Sequence, residues 1–461
     1  MTTASELFKS HRSVLVAPAG CGKTELICRA ISVGNSRREL VLTHTHAGVD
    51  ALRRRTKKLG LRPGSIEVQT IAGFALKLAG SYPALSGWKE TQPTGKAWEG
   101  VYLAAATVLR TRAGKKIVSA SFSGSFVDEY QDCGVDQHDL VLSLAEILPC
   151  RILGDPLQSV FGFKNAPVVP WTTVLTDFSP LPDLSTPHRW TGKNEQLGQW
   201  LLDVRPALLN GQPVDLLNAP LLRVRPEPAT LIVSAKKLAS LPGSSVVLRK
   251  WEKDAHGFSK SLSGLFGSME TIDCTDLLNL CKKLDKCDRI SAMKALVEFA
   301  PEVMTNTGTL LADVKTKLDA SKPVVPIGKA QRAIARLLQM ADDDFSAGRD
   351  FLEAMAMIEG VSVYRRELFS ELRKVLSDRQ SNELFEDVGW AARDRSRRYG
   401  RRQEPNVVSR PLLVKGLEYE HAMICKPSEF NANELYVSIT RASTTLTIAV
   451  PAGTTTMSYS A

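Results

Sequence analysis

The stretch Ala17-Pro18-Ala19-Gly20-Cys21-Gly22-Lys23-Thr24 constrains what this chain can fold into more than any other. It follows the apolar run Val14-Leu15-Val16 and opens into a helical pattern from Glu25 to Ile31, the strand, loop and helix order of a nucleoside triphosphate site. A triphosphate carries several negative charges, and backbone N–H groups at a helix N-terminus cradle them if the loop's side chains stay small. Ala17, Pro18, Ala19, Gly20, Cys21 and Gly22 supply such a loop, Lys23 a positive charge for the β and γ phosphates, and Thr24 a hydroxyl for Mg²⁺. The strict pattern has Gly where Ala17 stands. A small-residue strand-to-helix turn that binds nothing is the bland alternative.

Downstream, Glu39 to Thr43, Ile66 to Thr70, Ser125 to Val127 and Cys150 to Leu153 read as short strands, with helical patterns at 47–59, 71–78, 97–109 and 137–148. Short apolar strands alternating with helices indicate a parallel α/β sheet, whose ligands sit at the strands' C-terminal ends. Asp128-Glu129 follows one such strand. Asp128 is placed to hold Mg²⁺ and Glu129 to polarise an attacking water. That pairing favours hydrolysis over phosphoryl transfer to a small molecule.

At 461 residues the chain is long enough for roughly three or four domains. A net charge of +10 favours an anionic partner, nucleic acid before membrane, and no apolar run is long enough to span a bilayer. The polar start, Met1 to Arg12, resembles no secretory signal, and eight scattered cysteines without metal-ligand spacing indicate a reduced, cytoplasmic setting. After Pro187 the pattern continues with strand-like Thr230 to Val233 and Ser245 to Leu248, then turns helical from about 273 to 390. The basic run Arg393, Arg395, Arg397, Arg398, Arg401 and Arg402 reads as a solvated linker or helix end, or as a phosphate-contacting arm. Strand signal returns at 407–408, 422–424 and 446–450.

In motif order the chain resembles the superfamily 1 helicases of the UvrD/Rep/PcrA type. The phosphate loop is similar to that family's A-G-A-G-S-G-K-T, which also begins with Ala. Asp128-Glu129-Tyr130-Gln131-Asp132 resembles D-E-x-Q-D, and Gly154-Asp155-Pro156-Leu157-Gln158-Ser159-Val160-Phe161-Gly162-Phe163-Lys164 resembles G-D-x-x-Q-S-I-Y-x-F-R. His188-Arg189 stands where the family has N-Y-R. Val414-Lys415-Gly416-Leu417-Glu418-Tyr419 resembles V-K-G-L-E-F, and the stretch from Leu435 to Ala442 resembles L-Y-V-A-L-T-R-A.

The resemblance implies an α/β fold of two RecA-like parallel-sheet P-loop NTPase domains with helical insertions. The first would span 1–183, with a small helical insertion at about 79–118; the second 184–268 and 405–461; a helical insertion 269–404. It implies that Gln158 senses the γ-phosphate, that Arg189 and Arg441 act as arginine fingers on ATP from the second domain, and that Gly416 and Glu418 contact the nucleotide. His188, in place of Tyr, is left to stack on the base. Phe161 and Phe163 stand where the family stacks nucleobases; His44, in Thr43-His44-Thr45-His46, replaces a Phe there. The family's adenine-reading Gln has no counterpart, since no Gln precedes Gln69, and Ala72 and Leu412 replace two of its histidines. The expectation is an ATP- and Mg²⁺-dependent translocase or helicase on single-stranded DNA or a tailed duplex, moving 3′ to 5′. The alternative is a DNA-activated ATPase that senses or loads for a partner nuclease without processive unwinding.

Overall fold

The computed structural model describes residues 2–34, 37–91, 93, 95–161, 167–271, 274–341, 344–399 and 404–460, apart from the side chains of 47 and 396–399. Six strands form the first sheet: β1 (Arg12–Val16), β2 (Glu39–Thr43), β3 (Ile66–Thr70), β4 (Gly124–Val127), β5 (Cys150–Gly154) and β6 (Ser179–Leu181). All pair in parallel, in the order β3-β2-β4-β5-β1-β6. Such strands are covered on both faces, which is why they read as continuous apolar runs. Every residue of β2, β4 and β5 is buried.

A two-stranded antiparallel pair joins β7 (Val214–Asp215) to the C-terminal β14 (Thr456–Met457). Between them, β8 (Leu222–Val224), β9 (Ser245–Leu248), β10 (Gly267–Ser268), β11 (Asn406–Ser409), β12 (Tyr419–Ile424) and β13 (Ala442–Ala449) make a second parallel sheet, ordered β10-β11-β9-β12-β13-β8. The parallel α/β architecture expected from the strand and helix alternation, and the two sheets that the resemblance implies, are observed.

Residues 230–233 depart from expectation. Thr230-Leu231-Ile232-Val233 has the β-branched composition of a strand but lies in the helix Pro228–Ala239. Its buried positions, Leu231, Ala235 and Leu238, repeat at helical spacing, and Pro228 starts the helix where a missing N–H costs nothing. The helical pattern at 97–109 forms the helix Ala97–Arg110; Thr111 then caps a second helix, Arg112–Ser121, by accepting the Gly114 N–H at 2.9 Å.

The chain between β10 and β11 is helical, from Thr275–Leu284 to Phe385–Tyr399, around an apolar core of its own that includes Leu296, Phe351, Leu352 and Leu372. Buried ion pairs pin its base: Arg365 donates to both oxygens of Glu270 at 2.8 and 2.6 Å, and Arg393 to Glu371 and to the Thr271 carbonyl. For Arg393 alone the reading of the basic run as solvated or phosphate-contacting is corrected, because at 1 % exposure it is an internal brace, whereas Arg395 is exposed as a solvated helix end would be. Arg401 and Arg402 lie outside the described residues.

Candidate active site

Because β4, β5 and β1 are neighbours, the residues after each strand meet at one edge of the first sheet. Ala17 continues the ladder, donating to the Gly154 carbonyl at 2.9 Å, and the loop then turns through Gly20 and Gly22 at φ +74° and +84°. Those left-handed conformations favour glycine. Cys21 donates to the Pro18 carbonyl at 3.1 Å, and the helix Lys23–Gly34 begins at once. The amides of Gly20, Gly22 and Lys23 make no hydrogen bond among the described residues. Thr24 is the second residue of the helix.

Lys23 Nζ lies 2.7 Å from Glu129 Oε1 and 3.3 Å from Asp128 Oδ1. Burial opposes the charge on Lys23, but the two carboxylates outweigh it and raise its pKa above that of an ordinary lysine. Burial raises Asp128, which has to share one cation with its neighbour. Burial also works against Glu129, yet Lys23 and Lys415 dominate and hold it down at about 2. Glu129 sits at φ 58°, a conformation that a non-glycine residue adopts only under constraint. Gln131 steadies it, donating to Glu129 Oε2 at 2.6 Å while accepting the Asp155 N–H at 3.0 Å.

The second sheet's side of the cleft closes directly on the loop. Arg189 N donates to the Gly20 carbonyl at 3.1 Å, and a Cβ on Gly20 would come within 2.5 Å of the Trp190 ring. A Cβ on Gly22 would stand 3.2 Å from the His188 imidazole. Arg189 Nη2 reaches Glu418 at 2.8 Å and its Nη1 donates to the Thr440 carbonyl at 2.7 Å. Arg441 is buried, with its donors on the carbonyls of Val437, Val414 and Leu417 and on the Thr440 hydroxyl. Burial and the adjacent Arg189 lower its pKa. Gly416 turns at φ +80° ahead of Glu418.

Gln158 is buried and donates to Asp155 at 2.9 Å. His44 Nε2 lies 3.4 Å from Cys133 Sγ, and burial together with Lys415 pushes the imidazole down to about 4, so it is neutral at physiological pH. Phe161 is half-buried with Lys415 Nζ 5.0 Å over its ring. Phe163 lies outside the described residues.

The structure brings together residues that sequence reasoning left aside. Lys415 crosses the cleft to form an ion pair with Asp132, and Asn433 Nδ2 donates to the Ser159 carbonyl at 2.8 Å. Lys415, Asp132 and Ser159 sit inside motifs already quoted, so their letters were visible though their pairing was not. Trp190, 1 % exposed, donates to the Ala442 carbonyl at 2.7 Å. One other gathering of ligand-type side chains exists among the described residues, Glu252, His256 and Glu270. Arg365 already occupies Glu270, and His256 Nδ1 meets the Ser268 hydroxyl at 2.7 Å, so the cluster fastens the helical segment to the sheet. No helix among the described residues is long and apolar enough to cross a membrane, and all eight cysteines are free of disulfides.

No protein-family model matches this chain, nor does any curated protein. Among solved structures its fold is similar to the crystal structure of arterivirus nonstructural protein 10, a helicase, with 12 % identity, a TM-score of 0.39, and 98 % of this chain aligned to 62 % of that one. It is similar to the same arterivirus helicase in complex with DNA, at 15 % identity and TM-score 0.30 over 57 % of this chain and 53 % of the other. A third likeness is to the Pif1 helicase from Candida albicans, at 12 % identity and TM-score 0.31 over 56 % of this chain and 52 % of the other. This chain therefore spans about three fifths or less of the length of each. These are distant likenesses of fold, and what this chain does has to be read from its own site.

Proposed function

We propose that this chain is a nucleic-acid-dependent ATPase of the superfamily 1 helicase kind, hydrolysing ATP between its two sheets and translocating on single-stranded DNA, with 3′ to 5′ movement and UvrD-like character following from the sequence resemblance. One observation carries the reading: a single glycine-turned loop leads on one side to Lys23 with Asp128 and Glu129 and is met on the other, at the Gly20 carbonyl, by Arg189 with its partner Glu418.

The residues fit a triphosphate with Mg²⁺. Three loop amides without partners, the Lys23 ammonium and the positive end of a twelve-residue helix offer the donors a polyphosphate needs. Thr24 and Asp128 would hold Mg²⁺, which when bound supplies positive charge against the phosphate oxygens. The protein's own part follows from its ion pairs. Glu129 clamped to Lys23 is a weak base; phosphates that draw Lys23 away free its carboxylate to take a proton from water. Arg189, whose backbone N–H already meets the Gly20 carbonyl, would turn its guanidinium from Glu418 to stabilise charge developing on the transferred group. Arg441, saturated by carbonyls, holds together the turn from which Glu418 projects.

The second reading, a DNA-activated ATPase that loads or senses for a nuclease without unwinding, draws on the strand-facing side. His44 is tied to Cys133 and Lys415 covers Phe161, so neither ring lies open as a stacking face. Hydrolysis with and without single-stranded DNA, run beside strand displacement on a 3′-tailed duplex, separates the two. DNA-stimulated hydrolysis with displacement supports the motor; stimulation without displacement at saturating protein leaves the sensor; no hydrolysis by the wild-type chain sinks both. Glu129→Gln is expected to abolish hydrolysis while nucleotide binding persists.

A further inference from the structure

Directly after β5 stands Asp155, wholly buried, whose carboxylate is crowded with donors: the Leu157 N–H at 3.2 Å, Gln158 Nε2 at 2.9 Å and both terminal nitrogens of Arg205 at 2.8 Å. Arg205 opens the helix Arg205–Leu209, whose neighbours Val204 and Leu208 belong to the second sheet's core. Its Nη1 also donates to the Tyr436 hydroxyl at 2.6 Å, and its guanidinium lies 5.0 Å over the Tyr436 ring. The same hydroxyl accepts the N–H of Ala19, inside the phosphate loop, at 3.3 Å. The Tyr436 hydroxyl oxygen is thus approached by donors from both sides of the cleft.

Seen from the first sheet, the contacts close into a ring. The loop leads from Ala19 to Lys23, Lys23 to Glu129, Glu129 to Gln131, and Gln131 to the Asp155 amide. Only Arg205 and Tyr436 in this ring come from the other side of the cleft. A buried bidentate Arg–carboxylate pair adds little net stability over an apolar substitute, but it fixes geometry closely. That geometry joins a strand end, a loop amide and a partner surface at the place where nucleotide chemistry would occur.

We propose that Arg205 and Tyr436 are positioning residues for hydrolysis, through which the second-sheet side holds Ala19 and Asp155 in one register when the cleft is closed. The proposal rests on the ATPase reading above. It separates binding from turnover: an open cleft can take up nucleotide without these contacts, whereas the hydrolytic arrangement requires them.

Tyr436→Phe keeps the ring and its packing and removes only the hydroxyl. Steady-state ATP hydrolysis by the full chain with Mg²⁺, with and without a single-stranded oligonucleotide, is expected to show kcat reduced about tenfold or more and KM unchanged within about twofold, with the unfolding temperature held. Arg205→Lys keeps the charge but not the fork, and is expected to give the same split. The double variant should lose no more than the worse single one, because both break one device. Should Tyr436→Phe not fold, Arg205→Lys carries the same test. A kcat near that of the wild type, a loss of kcat that merely follows a falling unfolding temperature, or multiplying losses in the double variant would overturn the proposal. A wild-type chain that hydrolyses no ATP overturns the ATPase reading instead, whatever the variants do.

Discussion

Glu129 shows how one side chain can be held ready and idle together. Its carboxyl stands at about 2 in the folded chain against an ordinary value of 4.5, because Lys23 and Lys415 outweigh burial. A lowered folded pKa contributes stability that is fully present above the unfolded value and is lost as pH falls through the folded one. The relevant window is therefore about pH 4.5 down to about 2. Glu129→Gln should cost on the order of 1–2 kcal/mol at neutral pH, reduced because the side chain keeps some access to water. The difference from wild type should shrink toward zero as the acid limit is approached. Urea unfolding across a pH series measures it; a difference that stays constant with pH would mean that the carboxylate's charge is not what stabilises. The variant that tests catalysis is thus also a probe of the resting ion pair.

At the scale of elements, the helix Ala432–Ile439 matters most, since it carries Tyr436 against the phosphate loop and Asn433 against Ser159. It begins with a capping box: Asn431 accepts the Glu434 N–H at 2.8 Å and Glu434 accepts the Asn431 N–H at 2.9 Å. Asn431→Ala should lower stability by about 1 kcal/mol and lower kcat without shifting the nucleotide KM; thermal unfolding beside steady-state hydrolysis checks both. This helix was visible in the sequence only as part of a quoted motif, whereas the strands were legible as elements. Strands whose apolar runs end in Gly, Asp or Ser, such as β4 and β5, declared themselves because parallel strands are buried on both faces. Residues 230–233 did not, because a run of β-branched residues hid the helical spacing of Leu231, Ala235 and Leu238. The candidate site divided in the same way. Side chains adjacent in sequence, from Ala17 to Thr24 and Asp128 to Glu129, were readable as chemistry. Arg205 and Tyr436 meet across 231 residues, and Arg205 lies in no periodic or motif pattern that points to a partner. The basic run misled for another reason: charge alone does not reveal that Glu371 waits for Arg393 in the interior.

For the whole molecule, the net charge of +10 becomes a statement about association. Binding to a single strand by neutralised phosphates releases counterions, with a log–log salt slope of about −0.7 for each phosphate engaged. Fluorescence anisotropy with a single-stranded oligonucleotide between about 50 and 200 mM salt should give a slope steeper than about −2; a flat response would remove electrostatic contact as the basis of binding. The helical segment bears on the molecule at this scale in another way. It leaves after β10 and returns at β11, and these two strands are hydrogen-bonded neighbours, with Gly267 opposite Val407. To the sheet, the whole excursion is therefore one crossover between adjacent parallel strands. It can be shortened, exchanged or elaborated without rethreading a single strand, so the helical segment is free to vary while the sheet's winding stays untouched.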